Sequence, residues 1–360
     1  MKIDTLIFDM DGVITTEEKY WACARLTLWE LVTHTLDLPD AFGDAVRDEV
    51  AREAVCSDDL VYALKSRAVN SNWDITYVLV CVYIAALPSA SVQYASDVDS
   101  FLQAVRASRQ RIADWPAALE HFLTGTTGIE GRALIEESGR RLQNMLGFAG
   151  SELSGLLRVD GPFWWYLHAR FQRFYHGEAM AFYGGTPLID GTVLPAEMLK
   201  VTLQELRFAG YSLGVATGRP LDELDDALGE LGLMDYFDAD RMGTLDRVRQ
   251  AEADLGLSGL SKPHPYSLLR ALYPGEPSQM LLDPQFQMTQ RDNVLMIGDS
   301  TSDVVMAKAA GCRVVGVLTG VRGAKAQKER QKLLEDAGCE AILEDVTKLP
   351  DWLAPQNALE

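Results

Sequence analysis

Apolar and polar positions along the chain fall into two regimes. Residues 2–9, Lys-Ile-Asp-Thr-Leu-Ile-Phe-Asp, are rich in β-forming residues and turn apolar toward Asp9, the pattern of a buried parallel strand ending at a functional edge. From Glu17 to Tyr183 the spacing is helical, with Trp164, Leu167, Phe171 and Phe174 at i, i+3, i+7 and i+10. After Gly184-Gly185, strand-like and helix-like segments alternate, which predicts a parallel α/β sheet. Strands are expected over Leu213–Ala216, Asn293–Ile297 and Arg313–Val317. Helices are expected over Pro220–Leu231, Ser302–Ala310 and Ala324–Ala337, with proline opening the first and Gly311 closing the second. Leu281–Arg291 fits neither period. The economical arrangement is an α/β core formed by residues 1–16 and 184–360, interrupted after its first strand by an all-α domain of residues 17–183. An insertion of about 165 residues lies within the ordinary range for a domain.

Composition narrows the possible partners. The 360 residues are 48% hydrophobic, enough for a substantial core, and the formal net charge of -19 repels nucleic-acid phosphates and anionic lipid at long range. A phosphorylated small molecule would need cations placed locally. The 5 cysteines form no CxxC pair, so buried thiols are expected in place of a disulfide frame or zinc knuckle. The opening residues lack the pattern of a signal peptide, and the apolar run Tyr77–Leu87 is too short to span a bilayer and ends at Pro88, so the expectation is a cytoplasmic protein without a membrane span.

Four short segments carry candidate chemistry, and each also has a plain reading. Asp9 and Asp11 flank Met10 where the first strand stops, so two carboxylates project to one side and Gly12 permits a sharp exit; a solvated turn or a calcium loop would look the same. Thr217 and Gly218 follow a strand and precede a helix start, where N–H groups and a hydroxyl suit an anion, although threonine there commonly caps the helix. Lys262 stands in Lys-Pro-His-Pro, whose prolines stiffen the segment and aim the ammonium, against the commoner fate of a solvated lysine. Asp299 and Asp303 follow the apolar strand at Gly298, and their separation of four places both on one helical side, suited to a hard cation; Asp303 alone would equally serve the helix dipole. All four fall at the carboxyl ends of predicted parallel strands, where open α/β sheets hold their sites.

Phe8-Asp9-Met10-Asp11-Gly12-Val13, Ala216-Thr217-Gly218-Arg219, Lys262-Pro263-His264-Pro265 and Gly298-Asp299-Ser300-Thr301-Ser302-Asp303 together resemble, in order, the four motifs of the haloacid dehalogenase superfamily. The resemblance implies a Rossmann-like parallel-sheet core with an all-α cap inserted after the first strand. It implies a magnesium-dependent phosphatase acting on a small phosphorylated metabolite such as a sugar phosphate or phosphoglycolate. Asp9 would be the nucleophile, Asp11 the general acid and base, and Thr217, Gly218 and Lys262 the phosphate-binding groups. The ion, Mg2+, would be held by Asp9, Asp11, Asp299 and Asp303. An acid at position 11 favours a phosphatase over a dehalogenase, because a halide leaves without a proton whereas an alkoxide needs one. A phosphomutase of the β-phosphoglucomutase kind would share these residues, and a non-catalytic binding protein is the alternative of another class.

In the insertion, Asn72, Trp73 and Asp74 are similar to an Asn-Asp-Trp-Asp segment of some capped members, which makes them a possible substrate loop; helix capping with Trp73 in the core is the other reading. Lys65, Arg106, Arg109 and Arg111 could meet a second anionic group or line a solvated face.

Overall fold

The computed structural model describes residues 2–39, 41–88, 92, 95–107, 112, 114–146, 151–321 and 323–357. Arg109 and Arg111 therefore lie outside the described residues. The chain divides into two compact units, Met1–Glu17 with Ile189–Glu360, and Glu18–Leu188.

The first unit is built on a six-stranded, all-parallel sheet in the order β3-β2-β1-β4-β5-β6, with β1 Thr5–Phe8, β2 Ser212–Ala216, β3 Met242–Gly243, β4 Arg291–Gly298, β5 Cys312–Val317 and β6 Ala341–Leu343. The apolar run of β1 explains its central place, since all four residues are buried and it pairs with β2 on one side and β4 on the other. Successive side chains point to opposite faces. Leu6 and Phe8 join Leu213, Leu295 and Ile297 and the helix Ala196–Phe208 in one core. Ile7 joins Met296, Leu268 of helix Tyr266–Leu272 and Met306 of helix Thr301–Ala309 in a second core. Each such fully buried side chain contributes about 1.5–3 kcal/mol. Both faces are thus covered, as a parallel sheet requires.

The strand order reverses at β1, whose next partners in sequence, β2 and β4, lie on opposite sides of it. This is a topological switch point, where a crevice opens beyond the carboxyl ends of the strands. Asp9 leaves β1 there, and Asp299 leaves β4.

The strands at Leu213–Ala216, Asn293–Ile297 and Arg313–Val317 are present with small boundary changes, and the helix Ala324–Ala337 has the predicted limits. Leu281–Arg291 folds as two short turns, Ser278–Leu281 and Pro284–Gln287, before β4. They surround the buried Arg291, whose guanidinium donates to the carbonyls of Phe286, Gln287, Thr289 and Ala310. A segment organised around one cation has no period to display.

The second unit contains only helical elements among its described residues. Helix Asn72–Ala86 is buried on nearly every side, and helix Pro162–Tyr175 buries Trp164, Leu167, Phe171 and Phe174 as their spacing predicts. Glu30, nearly inaccessible, accepts from Arg170 at 2.7 Å and from the Tyr183 hydroxyl at 2.9 Å, so its charge is compensated inside the unit. Among the described residues no helix is long and apolar enough to cross a membrane. All 5 cysteines are free thiols, and Cys23, Cys56, Cys81 and Cys312 are buried.

Candidate active site

Asp9 begins where β1 ends. Its N–H donates to the Ile297 carbonyl at 2.8 Å, which ties it to β4, and its Oδ1 accepts from the Met10 N–H at 2.8 Å. The chain then turns sharply, with the Ile14 and Thr15 N–H groups both donating to the Met10 carbonyl. Gly12 is essential to that turn. Its φ is +81°, and a Cβ there would approach the Asp299 carboxylate to 2.5 Å.

Asp299 follows β4 directly, one residue before Ser300, the N-cap of the helix Thr301–Ala309. The two acids therefore do not share a helical face, as their spacing of four suggested, because the chain is still extended at Ser300. They converge for another reason. Ser300 and Asp303 form a capping box, with Asp303 Oδ2 accepting from the Ser300 N–H at 3.2 Å and from its hydroxyl at 2.7 Å. That fixes Asp303 with Oδ1 toward Lys262.

Lys262 Nζ lies 2.7 Å from Asp9 Oδ1 and 2.8 Å from Asp303 Oδ1, so it is a largely covered bridge and not a solvated lysine. The Lys262-Pro263 peptide is cis. Carboxylate oxygens of Asp9, Asp299 and Asp303 come within 4.8 Å of one another. Burial pushes Asp9 well above the ordinary carboxylate range; Lys262 opposes this, and Asp303 and Asp299 add to it. Asp299 is pushed up to about 7 by burial, against the pull of Arg330 and with added repulsion from Asp303 and Glu17. For Lys262 burial acts to lower the pKa, yet the flanking Asp303 and Asp9 raise it above the ordinary lysine value. Three acids facing the Lys262 ammonium, with the Arg330 guanidinium 3.6 Å from Asp299, are still short of positive charge, and their hard oxygen donors suit a divalent cation such as magnesium.

Thr217 follows β2 and is buried, its N–H bonded to the Gly243 carbonyl at 3.0 Å. Its hydroxyl accepts from the Arg219 N–H at 3.2 Å, and the N-cap of the following helix Leu221–Glu230 is Pro220, so Thr217 does not cap that helix. Gly218 is exposed, with open space where a Cβ would stand.

Asp11 is held by a group that no motif reading had assigned. Arg219, 2% exposed, donates from Nη2 and Nε to Asp11 Oδ1 at 2.6 and 3.1 Å and from Nη1 to Asp190 Oδ1 at 2.8 Å. Arg330 donates to the Asp299 carbonyl at 2.7 Å. Arg219 lay in plain view beside Gly218, but nothing in sequence marks a buried guanidinium; Asp190 and Arg330 belong to no motif.

In the helical unit, Asn72, Trp73 and Asp74 are the first turn of helix Asn72–Ala86, with Ser71 as N-cap, and not a loop. Ser71 accepts from the Asp74 N–H, and the Asp74 carboxylate accepts from Trp164 Nε1 at 2.8 Å. Trp73 is buried against Trp164 and His168. Arg106 is paired with Asp37 at 2.8 Å, and Lys65 donates to the Asn70 carbonyl. A cleft of about 610 Å3 in this unit, bordered by Trp29, His34, Phe42, Arg47 and Tyr183, contains none of the motif residues.

Residues 259–349 match the family described as HAD-hydrolase-like, the span that contains Lys262, Asp299 and Asp303. A phosphoglycolate phosphatase of Rhodospirillum rubrum is 29% identical over 67% of this chain and 89% of its own length. A phosphoglycolate phosphatase of Vibrio vulnificus is 30% identical over 34% of this chain, and a pyrophosphatase of Bacillus velezensis 29% identical over 38%. The chain spans 43% and 52% of these last two relatives' own lengths. An X-ray structure of a Northeast Structural Genomics Consortium target superposes with a TM-score of 0.73 at 24% identity, covering 99% of both chains, and shares the fold.

Proposed function

We propose that this chain, which belongs to the haloacid dehalogenase superfamily, hydrolyses a small phosphorylated metabolite by way of a phosphoryl group carried on Asp9. The observation that carries this reading is the convergence of Asp9, Lys262, Asp299 and Asp303 at the sheet's switch point, with Asp11 two residues beyond the nucleophile.

An oxygen of Asp9 attacks phosphorus and the bond to the leaving oxygen breaks. Asp11, protonated, gives its proton to that oxygen; ionised, it then takes one from the water that attacks phosphorus and releases Asp9. Lys262 and the Met10 N–H hold Asp9 Oδ1 in place. The Thr217 hydroxyl and the Gly218 N–H are assigned to the phosphoryl oxygens, which develop charge during transfer. Magnesium held by Asp9, Asp299, Asp303 and the Asp11 backbone carbonyl would supply the charge compensation that a dianionic phosphoryl group needs.

Of the two substrate classes expected from the sequence, phosphoglycolate and sugar phosphates, the phosphoglycolate phosphatases among its relatives favour the first. We assign substrate choice to the helical unit, because the motif residues address only the phosphoryl group. The deciding experiment measures phosphate release from a panel of phosphorylated metabolites with and without magnesium. Release restricted to small esters and abolished by chelation is the expected result, and no release from any ester under either condition would refute the reading.

A further inference from the structure

We infer that Arg219, anchored on Asp190, is a positioning residue that fixes which oxygen of Asp11 exchanges the proton. This rests on the phosphohydrolase reading given above. Donors reach Asp11 Oδ1 from three directions: Nη2 of Arg219 at 2.6 Å, Nε at 3.1 Å and the Thr15 hydroxyl at 3.0 Å. Oδ2 accepts from Nε at 3.2 Å. An oxygen already accepting three hydrogen bonds is a poor site for a proton, so Oδ2 is the atom that carries it to the leaving oxygen and later receives it from water.

The remaining donor face of the guanidinium explains why it stays in place. Nη1 bonds Asp190 Oδ1 at 2.8 Å; the Asp190 side chain is fully inaccessible and the Arg219 side chain is 1% exposed, whereas the Asp11 side chain is 23% exposed. Nη2 also reaches the Thr15 hydroxyl at 3.1 Å and the Thr16 carbonyl at 3.3 Å. The strip that carries Asp190 is itself tied to the turn after Asp11, since the Thr16 N–H donates to the Gly191 carbonyl and the Val193 N–H to the Ile14 carbonyl. Asp11 is thus the more exposed partner of a buried, anchored cation. A lysine at this position could offer its ammonium to a carboxylate, but not the planar fork that lays Nε and Nη2 on Asp11 while Nη1 holds Asp190.

The inference predicts a dependence on the leaving group. An alkoxide requires the proton from Asp11, whereas dinitrophenolate departs without one. In Arg219→Lys, steady-state release of phosphate from an alkyl ester should fall by about 100-fold or more with KM little changed, while the pre-steady-state burst of dinitrophenolate from dinitrophenyl phosphate persists at the wild-type rate. Thr15→Val, close to isosteric, removes one donor to Oδ1 and should shift the same ratio in the same direction by less. Circular dichroism melts establish that each variant is folded. Equal loss on both esters, or no loss on the alkyl ester in either folded variant, would overturn the inference. If the wild-type protein itself released phosphate from neither ester, the phosphohydrolase reading would fall and take this inference with it; loss confined to the variants tests Arg219 alone.

Discussion

Asp9 is held in the site at an energetic cost. It is buried beside Asp299 and Asp303, and Lys262, with Arg330 acting on Asp299, offsets the three charges only in part, so its ionised form is disfavoured until further positive charge arrives. Asp9→Asn should therefore release no phosphate, since an amide is a poor nucleophile, yet melt at the same temperature as wild type or higher in metal-free buffer. Near-wild-type turnover by that folded variant would remove Asp9 as nucleophile. Asp299 lies in the same cluster but is assigned to the ion alone. Asp299→Asn should raise the magnesium concentration for half-maximal activity while leaving some turnover at saturation, and an unchanged titration midpoint would take Asp299 out of the ion's coordination.

At the scale of elements, one helix start does two jobs. The hydroxyl of Ser300 and the carboxylate of Asp303 cap the helix Thr301–Ala309, and the same contacts hold Asp303 with its other oxygen on Lys262. Ser300→Ala should lower unfolding free energy by about 1 kcal/mol, the usual worth of an N-cap side chain. It should also reduce activity more than that loss of stability explains, because Asp303 is no longer held. A denaturant titration beside a turnover assay checks both; a stability change without any activity change would show that the cap serves the helix alone. Gly298 belongs to this arrangement, since a Cβ there would press into the Asp303 carboxylate.

For the whole molecule, thiol burial in both units sets an alkaline limit. Burial pushes Cys56, Cys81 and Cys312 up to about 12 and Cys339 up to about 11, against an ordinary 9.0. The unfolded chain ionises these thiols first. The stability they protect is complete below pH 9.0 and is lost as pH rises toward the folded values, by up to about 1.4 kcal/mol per pH unit for each fully protected thiol. Melting temperature should fall between pH 9.0 and about 11, and Cys81→Ala should fall less steeply whatever its starting value. An identical slope in that variant would contradict the thiol account. The helical unit has its own core, so residues 18–188 expressed alone should melt cooperatively by circular dichroism and show no phosphatase activity; a non-cooperative melt would mean the unit depends on the rest of the chain.

Strands betray themselves by local pattern, and that is why the sheet, its order of elements and the four acidic, hydroxyl and lysine segments were legible in the sequence. The apolar run before Asp9, the strand before Asp299 and the glycine at position 12 each state a local physical requirement. The very short strands Met242–Gly243 and Ala341–Leu343 carry too few residues to alternate and were missed. Contacts across long separations leave no such mark. Arg219 meets Asp11 from 208 positions away and Asp190 from 29, and Arg330 reaches Asp299 from the helix Ala324–Ala337. The spacing of Asp299 and Asp303 suggested a shared helix face, but extended backbone at Ser300 brought them together differently, and Asn72–Asp74 read as a break only because a helix start and a turn use the same polar residues. The sequence by itself determined which groups stand at the strand ends, because burial and chain direction act on neighbours; only the tertiary structure decided which charges face one another, because a buried ion pair is made by the packing of distant segments.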